Sequence, residues 1–186
     1  MSLQPPTKPV YLVACGTTTP VGRTTAQTAA AVRSGISAFE SSAVHNRQFQ
    51  PMTMALLPED KMAEANDKLE AIGTGLTARQ IRMLKLSQLA LADLKTKYED
   101  LNGLPLMLAG PETLPGLEQA CYPELIQHIQ QLSEIEFHAE HNYLMGFGRA
   151  AGVRALQYAM AYVEAGLSDY AMVGGVDSYL DLYLLD

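Results

Sequence analysis

The pattern of apolar residues is clearest near the C-terminal end, between Gly148 and Ser178. Large aliphatic side chains recur there with helical spacing, at Val153, Leu156, Met160 and Val163. Because alanine and tyrosine occupy most of the intervening positions up to Gly166, the pattern predicts a helix that is buried on nearly every side. The apolar run Tyr170 to Val173 predicts a buried strand, which Gly174-Gly175 closes. A buried helix that leads into a buried strand is typical of a doubly wound α/β sheet.

Strands and helices alternate in the elements predicted over the rest of the chain. Thr77 with Gln80 three residues later is a capping-box signal for one of the helices. The predicted strands are Val10–Ala14, Leu104–Ala109 and Ile135–Phe137, with one more short strand near Met52–Leu56 inside an otherwise loop-like stretch from Phe39 to Leu57. The predicted helices are Thr24–Ser34, the charged segment Pro58–Leu69, Ala78–Tyr98, and Leu117–Leu132 with an interruption near Pro123.

Composition narrows the class of protein. The chain has 186 residues, 48% of them apolar, which is enough for one domain with a core over residues 10–186. The proline-rich residues 1–9 are predicted to be a flexible arm. A net charge of −7 argues against nucleic acid as a partner. No apolar run is long enough to span a membrane, and no secretory signal is recognisable, so we expect the reducing cytoplasm that two distant cysteines suit.

Two stretches resemble the β-ketoacyl synthases of the thiolase-like superfamily. Near the C-terminus, the matching residues are Gly152, Ala155-Leu156, Ala159, Gly166, Asp169 and Gly174-Gly175. Near the N-terminus, the matching residues are Gly16, Thr19, Pro20, Val21 and Gly22, followed by Ser34-Gly35-Ile36-Ser37. The two matches lie about 130 residues apart and in the order that the family has, so together they carry more weight than either one.

The resemblance implies a thiolase-like layered α/β fold, of which this chain would hold one half: a βαβαβ sheet with a buried central helix. The second half and the last strand of this half would be missing, since the sequence stops at Asp186. The family implies acyltransferase chemistry, an acyl carrier protein or a partner synthase subunit, and a homo- or heterodimer. No cofactor is expected.

The resemblance places the family's nucleophilic cysteine at Arg149, so the nucleophile is absent. A guanidinium cannot attack a thioester, and no Cys, Ser or Thr occurs between His138 and Gln157. We therefore expect a chain without condensing activity, like the chain-length-factor class. Arg149 beside a helix N-terminus suits an anion or oxyanion site formed by Gly148, Arg149 and Ala150. The plainer interpretation, which we favour, is an ion pair with a loop carboxylate such as Glu140.

Three other groups of residues are candidates for a chemical role: the two cysteines, a pair of histidines and a glycine-containing segment. Cys15 and Cys121 are interpreted as small core residues rather than nucleophiles. His138 and His141 flank Glu140 with a spacing that could hold a metal, but no third ligand is evident, so no metal site is expected.

The segment from Gly146 to Ala151 also fits the dinucleotide pattern G-x-G-x-x-A. Asp177 after the following strand would bind the ribose. Against this alternative, only Tyr143-Leu144-Met145 precedes the glycines, which is short for a buried first strand.

Overall fold

The computed structural model describes residues 9–62, 67–116 and 118–181. The fold is mixed α/β, and the chain divides into two compact units. The hairpin unit comprises the described residues between 14 and 99 and from 178 onward; the sheet unit comprises those between 100 and 177 and residues 9–13. Within these ranges no helix is both long and apolar enough to cross a bilayer. Most of the predicted N-terminal arm, residues 1–8, lies outside the described residues.

The hairpin unit contains three helices and a two-stranded antiparallel sheet. Its elements are α1 (Thr25–Arg33), β1 (Phe39–His45), β2 (Pro51–Ala55), α2 (Asp67–Gly73) and α3 (Ala78–Lys95). The sequence predicted a single strand here, and β1 was missed because most of its residues are exposed and it shows no apolar face. The side chain of Asn46 closes the turn, since its Oδ1 accepts the backbone N–H groups of Gln48 and Gln50.

Helix α3 begins where the capping box predicted. Thr77 Oγ1 accepts the N–H of Gln80 at 3.2 Å, and Gln80 Oε1 accepts the N–H of Thr77 at 2.8 Å. The predicted helix over Pro58–Leu69 is confirmed only in part: a short 3-10 helix occupies Glu59–Lys61, and α2 begins at Asp67. Residues 63–66 of that prediction lie outside the described residues.

The N-terminal motif forms a loop that lies against α3. A Cβ on Gly16 would overlap the carbonyl oxygen of Ala90, so the close approach of the loop requires glycine there. The carboxylate of Asp93, which is buried, accepts the backbone N–H groups of Thr17 at 3.1 Å and Thr25 at 2.8 Å. One carboxylate on α3 therefore fixes the loop and the first turn of α1.

The sheet unit is built on three parallel strands. Its elements are β3 (Leu106–Ala109), α4 (Leu125–Ser133), β4 (Tyr143–Met145), α5 (Ala151–Glu164) and β5 (Met172–Gly175). The strand order is β4-β3-β5, and Met107 lies opposite both Tyr143 and Val173. The predicted strands at 104–109 and 170–173 are confirmed, with β5 displaced by two residues. The helix predicted over Leu117–Leu132 is shorter than expected, since α4 begins only at Leu125, after Pro123. Leu117 lies outside the described residues.

Helix α5 packs on the sheet through its smallest side chains. Ala151, Ala155 and Ala159, together with Tyr162, are buried in one cluster with Met107, Ala109 and Met145 of the strands. The prediction of a helix buried on nearly every side is wrong for this chain, because Val153 is 63% exposed and Leu156 is 51% exposed. The stripe of large aliphatic residues faces away from the sheet, and the alanine stripe makes the contact.

Two predicted strands are absent from the described residues. Ile135 and Phe137 are buried as expected, but the segment 135–137 has no strand partner, and Phe137 instead donates its N–H to Gln130 Oε1. The segment Val10–Val13 is likewise outside any strand, and its side chains are exposed. Glu136 O accepts the N–H of Gly103 at 2.6 Å and His138 donates its N–H to Leu104 O at 3.0 Å, but these two bonds do not extend into a strand ladder. Burial and β propensity do not by themselves make a strand, which also needs a run of paired backbone groups.

Candidate functional site

The carboxyl ends of the three parallel strands lie at one edge of the sheet. Gly110-Pro111 follows β3, the segment Gly146–Ala150 follows β4, and Val176-Asp177 follows β5. Strand β3 comes first along the chain and has β4 on one side and β5 on the other. In open parallel sheets ligands bind outside the carboxyl ends of the strands, where the strand order reverses. This edge of the sheet unit is therefore the candidate site.

The predicted anion site lies in a 3-10 turn that leads into α5. This turn spans Gly148–Ala150, and among the residues that the structure describes no side chain caps either the turn or α5. Gly148 has φ +57°, a left-handed backbone that favours glycine. The first backbone N–H groups of an uncapped helix have no intrahelical partner. The turn therefore offers donors and partial positive charge to an anion.

Arg149 is exposed in this turn. The interpretation of Arg149 as half of a structural ion pair with Glu140 is wrong, since no ion pair of Arg149 is present among the residues that the structure describes. The side chain is thus available to an anion from outside the chain rather than committed to a neighbour.

Sequence reasoning missed Glu112, whose carboxylate lies beside the same turn. A Cβ on Gly148 would be 3.1 Å from the carboxylate carbon of Glu112 and 3.2 Å from its Oε1. A carboxylate near a helix N-terminus is electrostatically favourable, and it opposes a second anion at that position. The sequence offered one signal for Glu112: it lies three residues after the apolar run that forms β3, close to the carboxyl end of that strand.

The two cysteines have different environments. Cys121 is buried as predicted, at the same edge of the sheet, where its Sγ donates to the carbonyl of Pro111 at 3.4 Å. A Cβ on Gly110 would overlap this sulfur, so Gly110 leaves room for the thiol. Cys15, predicted as a core residue, is exposed in the loop against α3. Neither thiol lies in the turn Gly148–Ala150, where the resemblance would put a nucleophile.

One observation favours the dinucleotide alternative, and two observations count against it. In its favour, Tyr143–Met145 is a true strand of the parallel sheet, although three residues looked too few. Against it, β3 lies between β4 and β5, whereas the strands of a dinucleotide-binding βαβ unit are neighbours. The Glu112 carboxylate beside Gly148 also opposes a pyrophosphate.

The histidines predicted as weak metal candidates are brought together by ring packing. The ring centroids of His138 and His141 are 4.6 Å apart, and the ring of His141 lies 5.3 Å from that of Tyr162. His138 Nδ1 accepts the backbone N–H of Glu140 at 3.1 Å. Within the described residues no three His, Cys, Asp or Glu side chains converge as a metal site would require.

Comparison with known proteins adds no relative: no protein-family model, no curated protein and no solved structure matches the chain.

Proposed function

We propose that this chain is the N-terminal half of a β-ketoacyl synthase-like protein of fatty-acid or polyketide-type acyl metabolism, without condensing activity of its own. Its role would be that of a degenerate or chain-length-factor-like subunit. The fold would be the thiolase-like layered fold, the partners an acyl carrier protein or an active synthase subunit, and the compartment the cytoplasm.

The observation that carries this proposal is that α5 has apolar side chains on two opposite faces. One face packs on the sheet through alanines, and the opposite face presents Val153 and Leu156 to solvent. A helix with apolar side chains on opposite faces belongs between two layers. A second α/β layer over the outer face is what the proposed fold would supply.

The turn that precedes α5 supports the loss of condensing activity. A condensing enzyme needs a thiolate that the helix N-terminus stabilises. Here the turn carries Arg149, and the carboxylate of Glu112 lies beside it. The guanidinium of Arg149 remains compatible with binding a neutral acyl thioester without covalent chemistry, whereas the carboxylate of Glu112 opposes a phosphate at this turn.

Restoring the cysteine tests the assignment of the site. We expect the Arg149→Cys variant to be acylated by an acyl thioester about tenfold faster than a Gln157→Cys control, because the helix N-terminus lowers the pKa of a thiol at the first position. Gln157 is exposed on the same helix. Removing the opposing charge with Glu112→Gln should increase the rate further. The readout is peptide mapping by mass spectrometry, which separates this thiol from Cys15 and Cys121.

Equal rates for the two introduced cysteines would overturn the assignment of the site. Rapid acylation of Cys15 or Cys121 in the unaltered chain would overturn the absence of condensing chemistry. The partner is tested separately by isothermal titration with an acyl carrier protein and with an active synthase subunit, and failure to bind either one would count against the proposed role.

The alternative function, a dinucleotide-binding domain that uses Gly146 and Gly148, is favoured only by the strand that precedes these glycines. A thermal-shift measurement with NAD tests it. Stabilisation of the unaltered chain that disappears in Gly148→Val, each protein compared with its own unliganded form, would favour a nucleotide over an acyl group.

A further inference from the structure

We propose that residues Val10–Val13 form a strand that pairs with the open edge of β5 in a second copy of the chain. This inference does not depend on the proposed function. It rests on two features of the sheet unit that are complementary and occur on every copy: an apolar segment without a strand partner and a strand with one unpaired side.

The segment Val10–Val13 has a sequence typical of a buried strand, but its side chains are exposed. It is Val-Tyr-Leu-Val, four consecutive residues of high β propensity or strong apolar character. Their exposed fractions are 39% for Val10, 78% for Tyr11, 84% for Leu12 and 61% for Val13. Apolar residues on both sides of the backbone suit a strand of a parallel sheet that is covered on both faces.

The outer side of β5 offers backbone groups to such a strand. Met172 donates its N–H to Pro105 O at 2.8 Å, and Val176 donates to Ala109 O at 3.1 Å. Because backbone groups alternate in direction along a strand, those of Val173 and Gly175 point away from β3. Among the described residues β3 is the only strand beside β5, and Val173 is 42% exposed. Unpaired edges of this kind are sites of strand addition.

A second copy fits these two features better than an unrelated partner does. Segment and edge match in length, with four residues in Val10–Val13 and four in β5. Each copy has one segment to donate and one edge to accept it, so a reciprocal exchange closes into a two-fold dimer. A partner without such a segment would leave the four exposed apolar side chains of Val10–Val13 uncovered.

Complementation between two variants of the full chain tests the exchange. A charged residue is expected to block either the donor, in Leu12→Lys, or the acceptor, in Val173→Lys. Each variant alone should dissociate at concentrations at least about tenfold above those of the unaltered chain, measured by light scattering on a sizing column. Mixing the two should restore a heterodimer, because one intact segment still meets one intact edge. Phe49→Lys, which removes an exposed apolar side chain of the hairpin unit, is the control and should leave association unchanged.

Hydrogen exchange on the unaltered chain provides a readout that needs no variant. The N–H groups of Val173 and Gly175 should be protected at high concentration and lose protection on dilution. A chain that stays monomeric, or variants that fail to complement each other, would overturn the proposal. Association that survives Leu12→Lys and Val173→Lys but is lost in Leu156→Lys would assign the interface to the outer face of α5 and overturn it as well.

Discussion

Replacing Asp93 by alanine is expected to lower the free energy of unfolding by about 2–6 kcal/mol, because the backbone N–H groups of Thr17 and Thr25 lose their acceptor. One oxygen, Oδ2, accepts the N–H groups of Thr17 and Thr25, the hydroxyl of Thr25 at 2.7 Å and the Nζ of Lys97 at 2.7 Å. Each buried backbone N–H left without an acceptor costs about 1–3 kcal/mol. The side chain of Lys97 is 34% exposed. In the variant its ammonium group would be solvated by water, so the loss of this ion pair would add little to the destabilisation. The Asp93→Asn variant keeps a hydrogen-bond acceptor but loses the charge, so we expect the free energy of unfolding to fall by about 1–2 kcal/mol.

The pH dependence of this effect has a definite sign. Burial would raise the pKa of Asp93, but the hydrogen bonds from Lys97, Thr25 and Thr17 outweigh it and hold the pKa well below its usual value. The carboxylate therefore stabilises the fold fully above its unfolded pKa of about 3.9. This contribution is lost as the pH falls from there through the folded pKa. The difference between the unaltered chain and Asp93→Asn should be constant from about pH 7 to about pH 5 and shrink below about pH 4.

Urea denaturation followed by circular dichroism at several pH values measures both quantities. Asp100→Ala is the matched control, since Asp100 is an exposed aspartate near the end of the same helix, and a change within about 0.5 kcal/mol is expected. If Asp93→Ala costs no more than this control, the carboxylate does not hold the loop and α1 in place. A difference that grows below pH 4 would contradict the direction of the pKa shift.

Three further predictions concern single side chains. Gly16→Ala should destabilise the hairpin unit by about 1–3 kcal/mol, since its Cβ would overlap the carbonyl of Ala90; an unchanged urea midpoint would contradict this. Gly152→Ala should stabilise the chain by about 0.5–1 kcal/mol, because alanine favours a helix and, apart from the backbone of its own helix, no described atom lies within 4 Å of the added methyl; a lower melting temperature would refute it. Burial lowers the pKa of His128, although Glu124 opposes this, so the folded state favours the neutral ring. Acidification through about pH 6.5 should therefore destabilise the unaltered chain more than His128→Gln, and parallel stability profiles would show that this ring does not contribute.

The limits of α5 were predictable from the sequence, but its orientation was not. Gly148 and Gly166 delimit the helix because both have positive φ. The pattern identified a stripe of large aliphatic residues, with alanine and tyrosine at most of the other positions. Periodicity cannot tell which face of a helix meets the sheet when opposite faces are both apolar. In the structure the alanines pack on Met107, Ala109 and Met145, and Val153 and Leu156 are left exposed.

The candidate site was predictable in place and only partly in content. The motif placed Gly148, Arg149 and Ala150 at the start of the helix, but it did not predict the 3-10 turn or the exposure of Arg149. The neighbouring Glu112 was not predicted, because its position depends on the pairing of β3 with β4, and parallel pairing joins residues far apart in the chain. The strand Tyr143–Met145 was undervalued for a related reason: three residues suffice when a neighbouring strand already supplies the partner groups.

The contact between α5 and the sheet determines the distance between the helix and the strands as well as the stability of the packing. Three methyl groups, those of Ala151, Ala155 and Ala159, act as spacers between the helix axis and the strands. Enlarging the middle one, as in Ala155→Val, would tilt the helix and move its first turn relative to Glu112 without altering any residue of that turn. Recognition at this end of the sheet can therefore be tuned from one helical turn away, through the thickness of a single side chain.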